Sequence, residues 1–394
     1  MSDKKTPLHD EHVALGAHLT EFGGWEMPLR YTSDLAEHRA VREAAGLFDL
    51  SHMGDIEVTG PDAAAFLDHA LVGAISKVGL LRARYTMICA DDGGVLDDLI
   101  VYRTGDTEYF VVANAANTDL VLGELEQRAR GAGGAAAFDV EIAAVPTALI
   151  AVQGPRAEEI LRATDGFDES ATDPAASGGT LADLRYYACA PMTFAGEPVV
   201  VGRTGYTGED GFEVWVAPHL AVRLWRALLA AGEPFGLVPA GLSARDSLRL
   251  EAGMPLYGHE LDTTTTPFEA GLGRVVKFDK VSGDGAPVAF TGRAALESRA
   301  GSEPARVLVG LRGQGRRPAR AGYDVVLRGA AGAAGAKVGT VTSGAPSPTL
   351  GYPVAMAYVT PEVSAEGTEL AVDVRGRAEP FVVVPLPFYR RPGK

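Results

Sequence analysis

Cysteine is nearly missing from this chain. Cys89 and Cys189 are the only two in 394 residues. They stand far apart, with no CxxC and no metal-type spacing, which excludes a disulfide framework and suits a reducing compartment. No apolar run approaches the ~18 residues a membrane span needs. The start, MSDKKTPLHDEH, lacks the apolar stretch of a signal peptide, so a soluble cytoplasmic protein is expected, without a membrane partner. Basic residues are also in deficit: Lys+Arg 36 against Asp+Glu 51 gives a net charge of −15. That balance argues against a nucleic-acid partner, whose phosphates need a basic surface, but not against a small anion held by a few placed arginines. Several catalytic signatures are missing too. There is no GxxxxGK[ST], GxSxG or HExxH, and Gly271-Leu272-Gly273 lacks the third glycine of GxGxxG. Eight histidines are scattered. His9 and His12, in HDEH, read as a solvated terminus rather than a metal site. His52 reads as a packing or strand-end residue rather than a general base.

What is present organises around Ala83 to Arg103, ARYTMICADDGGVLDDLIVYR. Two β-forming runs flank Asp91-Asp92-Gly93-Gly94, which can supply the positive φ of a hairpin turn. Asp97 and Asp98 fall on opposite faces of the second run, and both faces are apolar. Either both are edge-strand charges in water, or one is a reactive carboxylate beside a ring, with Tyr85 sharing the face of Asp98.

The length predicts two or three domains. His12 to Leu19 has apolar spacing, and Phe22 to Pro28 reads as a loop. Ser33 or Asp34 caps a helix to about Ala45, stopped at Gly46. LFDLSHMGDIEV is extended, with Ile56 and Val58 alternating. A strand-then-helix unit recurs at 55–71, 108–129, 147–163 and 212–232, which favours an α+β architecture over a doubly wound sheet. GAGGAAA (131–137) and the polar stretch 165–180 read as loops or linkers. Beyond about residue 300 six short β-rich segments, from RVLVGLR to EPFVVVPLP, predict a C-terminal barrel or sandwich.

Two further stretches could carry chemistry. In RTGYTGEDGFEV, from Arg203, three glycines allow close backbone approach and Tyr206 offers a stacking face. Glu213 could accept N–H bonds from a flat heterocycle such as an aminopyrimidine, although pattern alone favours a plain turn and a charged strand. In GLSARDSLRLEAGM, a helix capped at Gly241 or Ser243 and stopped at Gly253 carries Arg245 and Arg249 at i, i+4. Their repulsion asks for an anion, either an internal acid or a ligand carboxylate.

The ordered set FGGWEMPLRY, VREAAGLFDLSHMG, ARYTM, GGVLDDLIVYR, VVANAAN, LIAVQGP, RTGYTGEDGFEV, GLSARDSLRLEAGMPLYGHE, TTPFEAGLG and TSGAPSPTLGYPVAMAYV closely resembles the T-protein family of the glycine cleavage system, the aminomethyltransferases. The resemblance runs from about Thr6 to Arg391. It implies a three-domain cloverleaf: 1–55 with 143–262, 56–142 with 263–297, and a β-rich 298–394. It implies transfer of the aminomethyl-derived carbon from the lipoyl arm of the H-protein to tetrahydrofolate, with ammonia released and no metal required. By that likeness Asp98 is the catalytic carboxylate, Glu213 binds the pterin edge and Arg245 lies at the ligand. Tyr85, Asn114 and Tyr206 line the pocket and Tyr389 closes it, although the end PLPFYRRPGK is shorter than the tyrosine-bearing tail of some relatives. Folate-dependent demethylases and the folate-binding factors of iron–sulfur assembly share the fold. The full GGVLDDLIV and GLSARDSLRLEAG pattern favours the transferase, and the K-G-C-Y-x-G-Q-E stretch of the factors is missing. The basic run Arg312 to Arg320 is expected to dock the acidic carrier or the folate tail.

Overall fold

A computed structural model describes residues 4–130, 137–169, 179–283, 285–329 and 334–392. Most of the Gly/Ala segment and positions 170–178 of the polar stretch lie outside the described residues. The chain separates into two compact units. One comprises Met1–Ile88, Asp98–Arg245 and Lys280–Phe290, the other Cys89–Asp97, Asp246–Asp279 and Thr291–Lys394. Among the described residues no helix is long and apolar enough to cross a membrane.

The first unit is α+β. Its larger sheet runs in the spatial order Phe167–Asp168, Cys189–Phe194, Glu197–Gly202, Gly211–Val216, Ala148–Gln153, Ala45–Asp49, Leu237–Pro239. All its pairings are antiparallel except the last. Side chains alternate across a strand, so Phe212, Val214 and Val216 share one face. There they bury with Ile150, Val152, Ile160, Leu224, Trp225 and Leu228, the last three from the helix Ala221–Gly232. Burying each such side chain stabilises the fold by about 1.5–3 kcal/mol. Glu213 and Trp215 are left on the opposite face of the same strand.

A second sheet has the order Ala83–Cys89, Val95–Arg103, Glu108–Ala113, Gly54–Thr59, Glu141–Ala144. The hairpin at 91–94 forms as expected, with Gly93 at φ +85°. The strand bearing Asp97 and Asp98 is interior rather than an edge, and Asp97 is fully buried, so neither acid is a solvated edge charge.

The second unit is dominated by a closed six-strand barrel. In order around it come Val307–Gly313, Pro353–Val359, Ala334–Pro346, Asp324–Arg328, Glu369–Asp373 and Ala378–Val384. Leu311, Val325, Val341, Ala357, Leu370 and Phe381 fill its core. The six β-rich segments thus close into a barrel, not a sandwich.

Several local expectations fail for identifiable reasons. The first helix is His9–Ala14, and Leu19 belongs instead to a hairpin of His18–Phe22 with Trp25–Arg30. Gly23 and Gly24, at φ +58° and +87°, turn the supposed loop into that hairpin. Ser33 does cap the next helix, accepting from the Ala36 N–H at 3.1 Å, but the helix ends at Glu43. Gly46 lies in a strand, where a Cβ would come within 2.5 Å of Val41, so it serves close packing rather than a helix stop. The two histidines of HDEH are not solvated. His12 is wholly buried, with Nε2 2.8 Å from Asp49 and Nδ1 2.9 Å from the Tyr31 hydroxyl, and His9 Nε2 lies 2.7 Å from Glu26. These bonds pin the N-terminal segment to the larger sheet.

Candidate active site

Register places the site residues before any distance is measured. Along Val95–Arg103, Asp98, Ile100 and Tyr102 share a face. Ile100 pairs with Val112 and Tyr102 with Phe110, which puts Asn114 opposite Asp98. Asp55 pairs with Val112 from the other side and joins the same face. Glu213 and Trp215 lie on the non-core face of the larger sheet. The Trp215 ring meets Tyr102 at 5.0 Å and Phe110 at 5.8 Å, both edge-on, so these two faces look at each other.

At one end Asp98 accepts two hydrogen bonds from neutral donors, the Tyr85 hydroxyl at 3.0 Å and the Asn114 amide at 2.8 Å. Asn114 also donates to the Asp98 carbonyl at 3.2 Å, which fixes the amide's orientation. Burial raises the Asp98 carboxyl above the usual carboxylate range, and the bonds from Tyr85 and Asn114 only partly oppose it. Burial and the neighbouring Asp98 likewise hold the Tyr85 hydroxyl well above its ordinary value, so Tyr85 stays a donor.

At the other end Glu213 is buried and accepts from the Thr204 hydroxyl and, at 3.5 Å, from Tyr102. Both bonds enter on Oε2. Among the described residues neither of these bonds takes up Oε1. Burial raises this carboxyl, while the Thr204 bond and the positive charge of Arg245 oppose the shift. Pattern alone favoured a plain turn and a charged strand; the charge on this strand is buried.

Arg245 and Tyr206 stack, the guanidinium carbon 4.7 Å from the ring centroid. The loop bearing Tyr206 is held from three sides. Arg42 donates to the Thr207 carbonyl at 2.7 Å and pairs with Glu209 at 2.9 Å. Gln153 donates to the Thr204 carbonyl and accepts from Thr207. Arg203 pairs with Asp210. A Cβ at Gly205 or Gly211 would meet the Gln153 side-chain amide and push it off these bonds. Glu37 fixes the start of the helix Leu242–Glu251, accepting from the N–H groups of Tyr31, Thr32 and Gly241.

Tyr187 closes the ring of neighbours. Asp98 and Glu213 both push its hydroxyl up, after burial and Tyr186, and Tyr85 feels Tyr206 and Tyr187 alike. The structure thus gathers Asp98, Tyr85, Asn114, Glu213, Arg245 and Tyr206 into one cluster. Tyr389 lies in the other unit, where its N–H donates to the Glu251 carbonyl at 2.8 Å. Sequence reasoning missed Tyr102, Thr204 and Tyr187. Tyr102 was accessible, four residues beyond Asp98 on the same face, whereas nothing local marks Tyr187, which sits at φ +59°. His52 is buried and packs edge-on against Phe22 at 5.6 Å. Burial drops its pKa to about 4, which suits packing better than proton transfer near neutral pH.

The cluster's chemistry is therefore one buried and one half-buried acid, stacking faces and one cation. It fits a flat, N–H-bearing ligand at Glu213 and a developing positive charge at Asp98. A cavity of about 660 Å³ lies in the second unit between Arg306, Tyr358 and Lys337, and is lined by none of these residues.

Residues 8–280 match the family described as the GCVT N-terminal domain, and residues 306–390 match the glycine cleavage T-protein C-terminal barrel domain. An aminomethyltransferase of Streptomyces coelicolor is 57% identical over 394 residues, covering 98% of each chain. One from Streptomyces avermitilis is 56% identical over 392 residues, again covering 98% of each. The crystal structure of the glycine cleavage system aminomethyltransferase T from Bartonella henselae superposes with a TM-score of 0.85 at 35% identity, covering 98% of each chain.

Proposed function

The chain belongs to the glycine cleavage T-protein family, the aminomethyltransferases, and from that premise we propose its co-substrates, site residues and compartment. It takes the aminomethyl unit carried on the lipoyl arm of an H-protein, passes its carbon to tetrahydrofolate and releases ammonia in the cytoplasm. The product is 5,10-methylenetetrahydrofolate.

One observation carries this reading. Two carboxyl groups lie on facing sheets, Glu213 buried and Asp98 half-buried, each accepting from neutral donors, and both bonds to Glu213 enter on Oε2. An acid buried this way costs stability unless a ligand completes it. Glu213 receives the N–H edge of the pterin, and Arg245 and Tyr206 flank it. Asp98, held by Tyr85 and Asn114, orients the attacking amine and stabilises the positive charge that develops as the carbon–sulfur bond breaks. The basic run from Arg312 helps dock the acidic carrier.

The test is ammonia release from purified protein and aminomethyl-loaded lipoyl carrier, with and without tetrahydrofolate. Stimulation by folate with methylenetetrahydrofolate formed supports the transferase. Lack of stimulation, with folate still raising the melting temperature, points to a demethylase or a binding protein. No folate effect of either kind overturns the reading.

A further inference from the structure

Asp55 is an acid that none of this chemistry uses. It is buried in the first unit, on the face that carries Asp98 and Tyr102. Its Oδ1 accepts the Trp215 indole N–H at 3.3 Å, and its Oδ2 accepts the Thr147 hydroxyl. Its backbone carbonyl also takes the Val145 N–H at 2.9 Å. Trp215 lies two residues from Glu213 on the same strand face. Its ring packs against Tyr102, whose hydroxyl meets both Thr204 at 2.8 Å and Glu213. A continuous chain of contacts therefore runs from Asp55 through the indole and the Tyr102 ring to the Glu213 carboxylate.

We propose that Asp55 is a positioning residue for the ligand end of the site: it fixes the Trp215 indole, which sets Tyr102 and hence the direction of Glu213. The inference rests on the reading that Glu213 binds tetrahydrofolate. On that reading Glu213, not Asp55, touches the ligand. Burial is the main cause that brings the Asp55 carboxyl up to about 7; the Thr147 and Trp215 bonds oppose it and the like charge of Glu213 adds to it. The charged and titratable groups facing this pair are Glu213 itself, Tyr102 and Tyr187, with Arg245 acting on Glu213. Deprotonation of Asp55 thus strengthens its hold on the indole N–H while adding negative charge near Glu213.

The experiment uses the full chain and tetrahydrofolate, with Asp55→Asn, Asp55→Leu, Trp215→Phe and Glu213→Gln. The Trp215 indole ¹H–¹⁵N signal, assigned by its loss in Trp215→Phe, is followed against pH. In the wild type it moves with a midpoint near 7; in Asp55→Asn the step is gone. Asp55→Leu and Trp215→Phe each raise the Michaelis constant for tetrahydrofolate roughly three- to tenfold, the loss of one indirect hydrogen bond, with kcat within about twofold. Asp55→Asn keeps an acceptor for the indole and rescues most of that loss. If Asp55→Leu does not fold, Trp215→Phe and Asp55→Asn still decide. An indole signal blind to Asp55, or unchanged tetrahydrofolate binding in Trp215→Phe while Glu213→Gln weakens it, overturns the inference alone. Unchanged binding in Glu213→Gln overturns the reading beneath it.

Discussion

Arg245 and Arg249 stand one turn apart on the helix Leu242–Glu251, and their surroundings could hardly differ more. In the second unit Arg249 is buried and closed. It donates to Asp246 at 2.9 Å, Glu260 at 2.9 Å, the Met254 carbonyl at 3.2 Å and Ser343 at 2.7 Å. Nearby Glu251 is tied to Ser347 and Thr349. In the first unit Arg245 stacks on Tyr206, and Asp98 and Glu213 accept from hydroxyls and an amide. Charge answered by opposite charge and carbonyls holds a fold together. Acids met by neutral donors are poised for something that arrives. Of the two anions the sequence leaves open for this pair, Arg249 meets an internal acid, Glu260.

The contrast can be broken by substitution. Arg249→Met leaves Glu260 as an uncompensated buried charge and should lower the unfolding free energy by about 3–5 kcal/mol, read by urea denaturation. An equal loss from Arg245→Ala would erase the distinction. Next comes pH. With Asp55 held near 7 in the fold against 3.8 when unfolded, the folded state keeps a proton that the unfolded chain has lost. That contribution is fully present below about pH 4 and disappears as pH rises through 7. Asp55→Asn should therefore gain on the wild type between pH 5 and 8, by about 2–4 kcal/mol at most, in melting curves across that range. A parallel pH dependence of the two proteins would remove Asp55 from the account.

Smaller effects follow at the ligand. Glu213→Ala and Arg245→Ala should weaken tetrahydrofolate binding by about 1.5–3 kcal/mol each, seen as reduced thermal stabilisation by the ligand with little change in the unliganded melting temperature. The smallest effect belongs to the basic run. Arg317 already pairs with Glu379 at 2.8 Å, so reversing Arg316 and Arg317 should raise the Michaelis constant for carrier only a few-fold, and less at high salt. No change at low salt would count against docking there.

Much of this was legible because it is local. The hairpin at Asp91–Gly94, the Ser33 cap, the four strand-then-helix units and the six barrel strands all follow from period, turn residues and length. Tyr85 beside Asp98 followed from counting across a hairpin. What could not be read depended on partners distant in sequence. Gly46 looks like a helix stop until Val41 is seen pressing on its backbone. His12 looks solvated until Asp49 and Tyr31 close on it. Asp55 gives no signal at all, since its meaning lies in Trp215, far along the chain in another sheet.

The most direct test of the central claim measures tetrahydrofolate-stimulated ammonia release by Asp98→Asn and Asp97→Asn side by side, each at saturating carrier. Asp98→Asn should retain tetrahydrofolate-induced thermal stabilisation and lose about a hundred- to ten-thousandfold in kcat, the usual range for a positioned acid–base group. Asp97→Asn, whose side chain points to the other face, should keep most of its turnover. An active Asp98→Asn beside an inactive, folded Asp97→Asn would contradict the assignment of the reacting carboxylate.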